Sequence, residues 1–285
     1  MAGTRFVGTL EGHSLNLISL RMKPLVLSLL LLSGLAATAQ TVPAPTFTST
    51  CQERNDGRQK LFCETRDLTL PAAAGQPLTI DASANGSISV KGWDGPDVRV
   101  RAKVTAWADT EAEAKARATA IRIGTAGNKL SATIPNGAER AAVSYEVFVP
   151  RRMALALTTQ NGSIHLAGVQ SAITFNAQNG SVSLADLGGQ VAGKAVNGSL
   201  SIKLSGNQWQ GSGLDVETVN GSIRWDVPAD YSAQFSTSTT NGSLKTTLPQ
   251  SDPRSHRHEV NTVLGKGGQP IKAVTTNGSV VVRQG

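Results

Sequence analysis

Asn-Gly-Ser recurs six times in the C-terminal half of this chain, at Asn161, Asn179, Asn197, Asn220, Asn241 and Asn277, and a seventh copy stands alone at Asn85. The six lie 18, 18, 23, 21 and 36 residues apart, mostly in the range where one supersecondary unit stacks on the next. The repeat extends beyond its tripeptide. Six positions before each Asn stand Leu155, Ile173, Val191, Leu214, Phe235 and Ile271, and three positions after it stand Ile164, Val182, Leu200, Ile223, Leu244 and Val280. Two before it the residue is always Ala or Thr (Thr159, Ala177, Ala195, Thr218, Thr239, Thr275). Polar residues alternate with these, so the period is two on both sides of the Asn, which defines strands with one buried face and excludes helix.

Each repeat therefore reads as strand, Asn-Gly corner, strand and a second, variable corner. At the first corner, Asn161-Gly162, Asn179-Gly180, Asn197-Gly198, Asn220-Gly221, Asn241-Gly242 and Asn277-Gly278 are expected to supply the positive φ angles of a tight turn. Three all-β architectures fit this pattern: an antiparallel meander whose Asn-Gly pairs are hairpin turns, a closed up-and-down barrel, and a β-solenoid of stacked coils. The solenoid is favoured. A meander leaves a broad apolar face with one short helix to cover it, whereas a coil buries its own face. Stacking also explains why one Asn recurs at one corner, since identical amides in register hydrogen-bond into ladders. The nine-residue spacing of apolar positions across the corner points to a flattened, two-sided coil, a single-stranded β-helix expected to be right-handed with consecutive coils atop one another.

The segments before the repeat divide three ways. Residues 1–39 read as a cleavable signal peptide, with Met22-Lys23, the apolar run Leu25 to Leu32 and Ala37-Thr38-Ala39 before Gln40; Met22 is the expected true start. The apolar core is too short to span a bilayer, and the rest of the chain has no stretch suited to a transmembrane helix. Residues 40–70 read as a linker with a loop closed by Cys51 and Cys63, the only cysteines, because export makes pairing chemically reasonable. Residues 71–150 read as a β-rich cap for the solenoid of 151–285, with a helix after Asp109 as N-cap and strands around Leu78–Ile80, Ser87–Val90, Val98–Val104, Ile121–Ile123, Leu130–Ile134 and Val143–Val149.

The sequence shows no catalytic constellation, cofactor motif or metal-ligand spacing. His165 falls at an outward position, and His256 and His258 lie in a charged insertion with Arg254 and Arg257. Asp215 and Glu217 share an outward face with Lys194, the one arrangement that resembles a glycosidase carboxylate pair, and an ion pair explains it more simply. The chain carries a net charge of +7, and loss of Arg5, Arg21, Lys23 and Glu11 with residues 1–39 leaves +5. Lys203, Arg224 and Lys245 are expected on one outer face, where they would attract anionic envelope polymers or phospholipid headgroups. Export and the lack of aromatic platforms argue against nucleic acid.

Gly92-Trp93-Asp94 with Val98-Arg99-Val100, Val143 to Val149 followed by Pro150-Arg151-Arg152, and the Thr-x-Asn-Gly-Ser-Ile repeats resemble a bacterial family of exported β-strand-repeat proteins often labelled "putative adhesins". The resemblance covers roughly residues 60–285 and implies the fold and export; it carries over no functional residue. The expectation is a non-catalytic exported protein, periplasmic, on the cell surface or extracellular, that binds a glycan, a protein or a second copy of itself. The alternative is a polysaccharide-active enzyme using Asp215 and Glu217.

Overall fold

Period-two alternation becomes twenty strands in the computed structural model, which describes residue 8 and residues 43–51, 59–73, 75–82, 85–135, 140–248 and 258–285. Strands β1 (Lys60–Pro71), β2 (Leu78–Asp81), β3 (Ile88–Trp93) and β4 (Asp97–Ala108) precede helix α1 (Glu111–Ala120). Then come β5 (Arg122–Gly124), β6 (Lys129–Thr133) and β7 (Ala141–Pro150). The repeat region supplies β8 (Leu155–Asn161), β9 (Ile164–Ala167), β10 (Gln170–Asn179), β11 (Val182–Ala185), β12 (Gly188–Asn197) and β13 (Leu200–Lys203). It continues with β14 (Gly213–Asn220), β15 (Ile223–Val227), β16 (Ala233–Asn241) and β17 (Leu244–Thr246). The chain ends with β18 (Glu259–Leu264), β19 (Pro270–Asn277) and β20 (Val280–Gln284). Apart from residue 8, the expected signal peptide lies outside the described residues, as do His256, Arg254 and Arg257.

The strands form two ten-stranded sheets. The first runs β1-β4-β7-β3-β9-β11-β13-β15-β20-β17 and the second β18-β16-β19-β14-β12-β10-β8-β2-β6-β5. Each Asn-Gly corner carries the chain from the second sheet to the first, so β8 leads to β9 and β10 to β11. Every such strand pairs in parallel with the same strand of the next rung, residue for residue: Ile173 lies beside Leu155 and Val191, and Val182 beside Ile164 and Leu200. A hairpin meander is thereby excluded. A closed barrel is excluded too, because each sheet has two ends. The architecture is all-β and solenoid-like, yet the sheets are open and mixed, because β1/β4, β4/β7, β5/β6 and β16/β18 pair antiparallel.

Consecutive stacking, as expected from the repeat, fails at two places. The coil β19/β20 inserts between β14/β15 and β16/β17, and the early coil β2/β3 lies against β8/β9. Asn85, solitary in the sequence, thus joins the same edge as the other six. Another difference lies at residues 60–70, expected as linker. They form most of β1, a twelve-residue strand along β4. Glu64 and Arg66 interrupt its apolar alternation, and Arg66 is committed elsewhere: it pairs with Glu64 and donates to the carbonyls of Ala118 (2.8 Å) and Ile121 (2.5 Å) at the end of α1. The Ala118 carbonyl also accepts from the Ile121 N–H at 3.1 Å, and a cation is favourable at a helix C-terminus, where the last carbonyls point out of the helix. At the other end the N-cap is Thr110 rather than Asp109, its hydroxyl accepting from the Glu113 N–H. Ala114 and Ala118 face inward, and α1 packs on β4 and β1.

Residues Val42–Gly285 form one compact unit with a continuous apolar interior between the sheets. Its columns are those read from the repeat: Leu155, Ile173, Val191, Leu214, Phe235 and Ile271 are all buried, as are Ile164, Val182, Leu200, Ile223 and Val280. Leu244 is only half-buried because β17 ends the first sheet. Each fully buried aliphatic side chain contributes roughly 1.5–3 kcal/mol, largely offset by the entropy of ordering the chain. Packing is complementary at residue level: Gly193 pairs with Phe175, whose ring occupies the space a Cβ there would need.

Candidate binding surfaces

The Asn-Gly edge is a continuous spine. Each Asn donates from Nδ2 to Oδ1 of its neighbour: Asn161 to Asn85 at 3.2 Å, Asn179 to Asn161 at 2.9 Å, Asn197 to Asn179 at 2.8 Å and Asn220 to Asn197 at 2.9 Å. Asn277 then donates to Asn220 at 2.8 Å and Asn241 to Asn277 at 2.9 Å. The corner Thr residues add a second set of bonds. Thr159, Thr218, Thr275 and Thr239 each donate, at 2.7 Å, to the carbonyl of a corner Gly on the adjacent rung. The expected role of positive φ is not what the corners show. None of these Asn has a positive φ, and of the corner Gly only Gly278 does, at 155°. Glycine is needed here for close approach: a Cβ on Gly180 would lie 2.0 Å from the Gly162 carbonyl oxygen, and one on Gly198 2.1 Å from that of Gly180.

Asp215 and Glu217 do share the outer face of the second sheet, and each is held by a lysine of an adjacent rung. Lys194 reaches Glu217 at 2.7 Å and Lys272 reaches Asp215 at 3.6 Å. All four side chains are about half exposed or more. Such pairs stabilise little, and neither carboxylate sits in the apolar setting that turns a carboxyl into a general acid. Among the described residues no three potential metal ligands converge, and His165 and His258 are exposed.

Lys203, Arg224 and Lys245 are all exposed on the outer face of the first sheet, and the fold adds Arg283. Arg224 and Lys245 flank Val281 in register, while Lys203 and Arg283 flank Asp226. With strands about 4.8 Å apart, each pair of cations is separated by roughly 10 Å along the stack. Among the described residues none of the four enters an ion pair. An open depression of about 420 Å³ lies beside them, rimmed by Lys203 and Arg283 and floored by Leu204, Val227 and Pro228.

At the other end of the same sheet an N-terminal strap, residues 43–51, lies on β7 and β4. Its anchor is Glu146, 5% exposed, which accepts from the Thr48 N–H (2.9 Å), the Thr48 hydroxyl (2.9 Å) and the Ser49 N–H (2.8 Å). Phe47 packs on Phe148 with ring centres 5.4 Å apart, and Arg101 lies 4.7 Å above Phe47. Arg101 in turn forms a two-pronged pair with Asp67, whose hydrogen bond holds the Asp67 carboxyl below its usual pKa. Cys51 and Cys63 form a disulfide, Cα–Cα 5.6 Å, that ties the strap to β1. Sequence reasoning missed Glu146 because it stands between Tyr145 and Val147 in an apolar run, and its partner lies 98 residues away.

The Gly92-Trp93-Asp94 and Pro150-Arg151-Arg152 motifs meet through Asp94 and Arg151. Arg151 pairs with Asp94 at 2.7 Å and donates to the Gly168 carbonyl. The hydrogen bond and charge of Arg151 lower the Asp94 pKa. Buried Trp93 donates to the Asp97 carbonyl at 2.8 Å.

Two open sheets stacked rung on rung, with an Asn spine along one edge and polar outer faces in register, define a solenoid-like all-β protein with surfaces rather than a cleft as its candidate site. The chain belongs to the Toastrack DUF4097 family, whose model matches residues 68–283. Solved structures similar to it include a "putative cell adhesion protein" from Clostridium sporogenes, 9% identical, covering 79% of this chain and 100% of that one at TM-score 0.45. A "putative adhesin" from Bacteroides fragilis is 12% identical over 78% of this chain and 97% of its own, at 0.32. A "putative lipid binding protein" from Parabacteroides distasonis is 14% identical over 78% and 96%, at 0.31. These likenesses are loose, and membership rests on the family match. No curated protein matches the chain.

Proposed function

We propose that this chain is a non-catalytic, exported, adhesin-like protein of the bacterial cell envelope or surface that binds an anionic glycan along the outer face of its first sheet. The exposed array of Lys203, Arg224, Lys245 and Arg283 carries the reading. A flat row of cations at repeating separation complements a chain with repeating phosphate or carboxylate groups. An anionic membrane is the less favoured partner, because lasting surface binding also uses inserted apolar side chains. The one large exposed hydrophobe among the described residues, Val263, is on the other sheet. Export is supported by the signal-peptide pattern and by the disulfide, which suits an oxidising compartment.

Pull-down of purified protein on cell-wall polysaccharide and on vesicles of anionic phospholipid tests this. Binding to the polysaccharide should weaken with added salt. Replacing all four cations with Ser should reduce it about a hundredfold, given roughly 1 kcal/mol per cation at an anionic surface before screening. Equal binding by the quadruple variant, or binding to vesicles alone, would overturn the assignment. Cell fractionation reads export separately.

A further inference from the structure

Six of the seven Asn-Gly-Ser corners are locked in two ways and one is not. The backbone N–H of Gly86, Gly162, Gly180, Gly198, Gly221 and Gly278 each donates to the carbonyl of the Asn one rung further on, at 3.0–3.1 Å. The Asn side chains between the two ends each make two ladder bonds, donating one and accepting one. Asn241 is the last rung. Its amide makes a single ladder bond, to Asn277, and the N–H of Gly242 has no partner among the described residues. Gly242 is also the one exposed glycine among the seven corners. At the opposite end Gly86 is buried and its N–H is engaged by Asn161.

These differences bear on a reaction intrinsic to Asn-Gly. The backbone nitrogen of the Gly attacks Cγ of the Asn, forming a C–N bond that closes a five-membered succinimide. The Cγ–Nδ2 bond breaks, and Nδ2 departs as ammonia, taking up the proton lost by the Gly nitrogen. Water then opens the ring to aspartate or isoaspartate, so one water is consumed and one ammonia released, with no redox change. Attack requires a nitrogen free of its hydrogen bond and a side chain free to turn toward it. We propose that Asn241 is a spontaneous deamidation site, with the remaining corners protected by the stack. The product is a carboxylate, which accepts but does not donate, so it faces the Asn277 Oδ1 with no hydrogen to offer and loosens the terminal rung.

Peptide mapping by mass spectrometry with isoaspartate labelling, on the full oxidised chain held at mildly alkaline pH, tests this. An interior corner must break two more hydrogen bonds than Asn241, so Asn241 should convert about thirtyfold faster, equivalent to about 2 kcal/mol. In urea all seven corners should react at similar rates. Asn136-Gly137 lies outside the described residues and takes no part in the ranking. Conversion of any interior corner at the rate of Asn241 in the folded protein would overturn the proposal. In Asn241→Ser the fast phase should vanish, because Gly278 still donates to the carbonyl of residue 241. Transfer of that phase to Asn277 would show that the free N–H is not the cause.

Discussion

Glu146 shows how one buried charge organises its surroundings. Burial pushes its pKa up, and the hydrogen bonds from Ser49 and Thr48 more than reverse that, so the carboxyl titrates below its ordinary value of 4.5. Lys91, 3.6 Å away, and Arg101 are the cations near it. A folded pKa below the unfolded one means stability that is fully present above about pH 4.5 and lost as pH falls through the lower folded value. Acidification should therefore release the strap, read as faster amide exchange at Thr48 and Ser49 while the spine stays protected. Glu146→Gln should abolish that acid response and cost about 2 kcal/mol in urea unfolding, the scale of hydrogen bonds to a charged group. Unchanged exchange across that pH range would contradict it. Glu146 also marks where single-sequence reasoning runs out, because a charge within an apolar strand gives no hint of which distant backbone will satisfy it.

Among the elements, the corners separate what was legible from what was not. Their position and their Asn ladder were readable, since Asn, Gly and the small residue recur at fixed offsets; the reason for the Gly was not, since a corner taken by itself asks only for positive φ. Two-residue turns need positive φ, but stacked corners need backbone clearance, and only the neighbouring rung reveals that. The choice of Ala or Thr two places before the Asn also acquires meaning there, because Thr bonds the adjacent Gly carbonyl and Ala does not. Thr218→Ala should cost about 1 kcal/mol by urea unfolding, and Ala195→Thr on the neighbouring rung should stabilise by a comparable amount. Destabilisation by Ala195→Thr would mean the corner has no room for the hydroxyl.

For the whole molecule, the order of rungs is the decisive feature. β19 bonds β14 on one side and β16 on the other, so the last coil in the chain is an internal rung. Deleting residues 265–285 should accordingly expose β16 and β17 to amide exchange, instead of trimming one coil from an intact stack. Retained protection of the β16 amides that face β19, as distinct from those that face β18, would show that β14 and β16 pair directly. The sequence alone determined the strands of the repeat, their inward faces, the alignment of the Asn-Gly corners along one edge and the outward placing of Lys203, Arg224 and Lys245, because alternation and turn chemistry act over a few residues. Tertiary structure decided the rung order, the place of Asn85 and Arg283, and the seating of the strap. Every rung offers its neighbours nearly the same backbone and side-chain groups, so the repeat specifies how rungs meet without specifying which ones do.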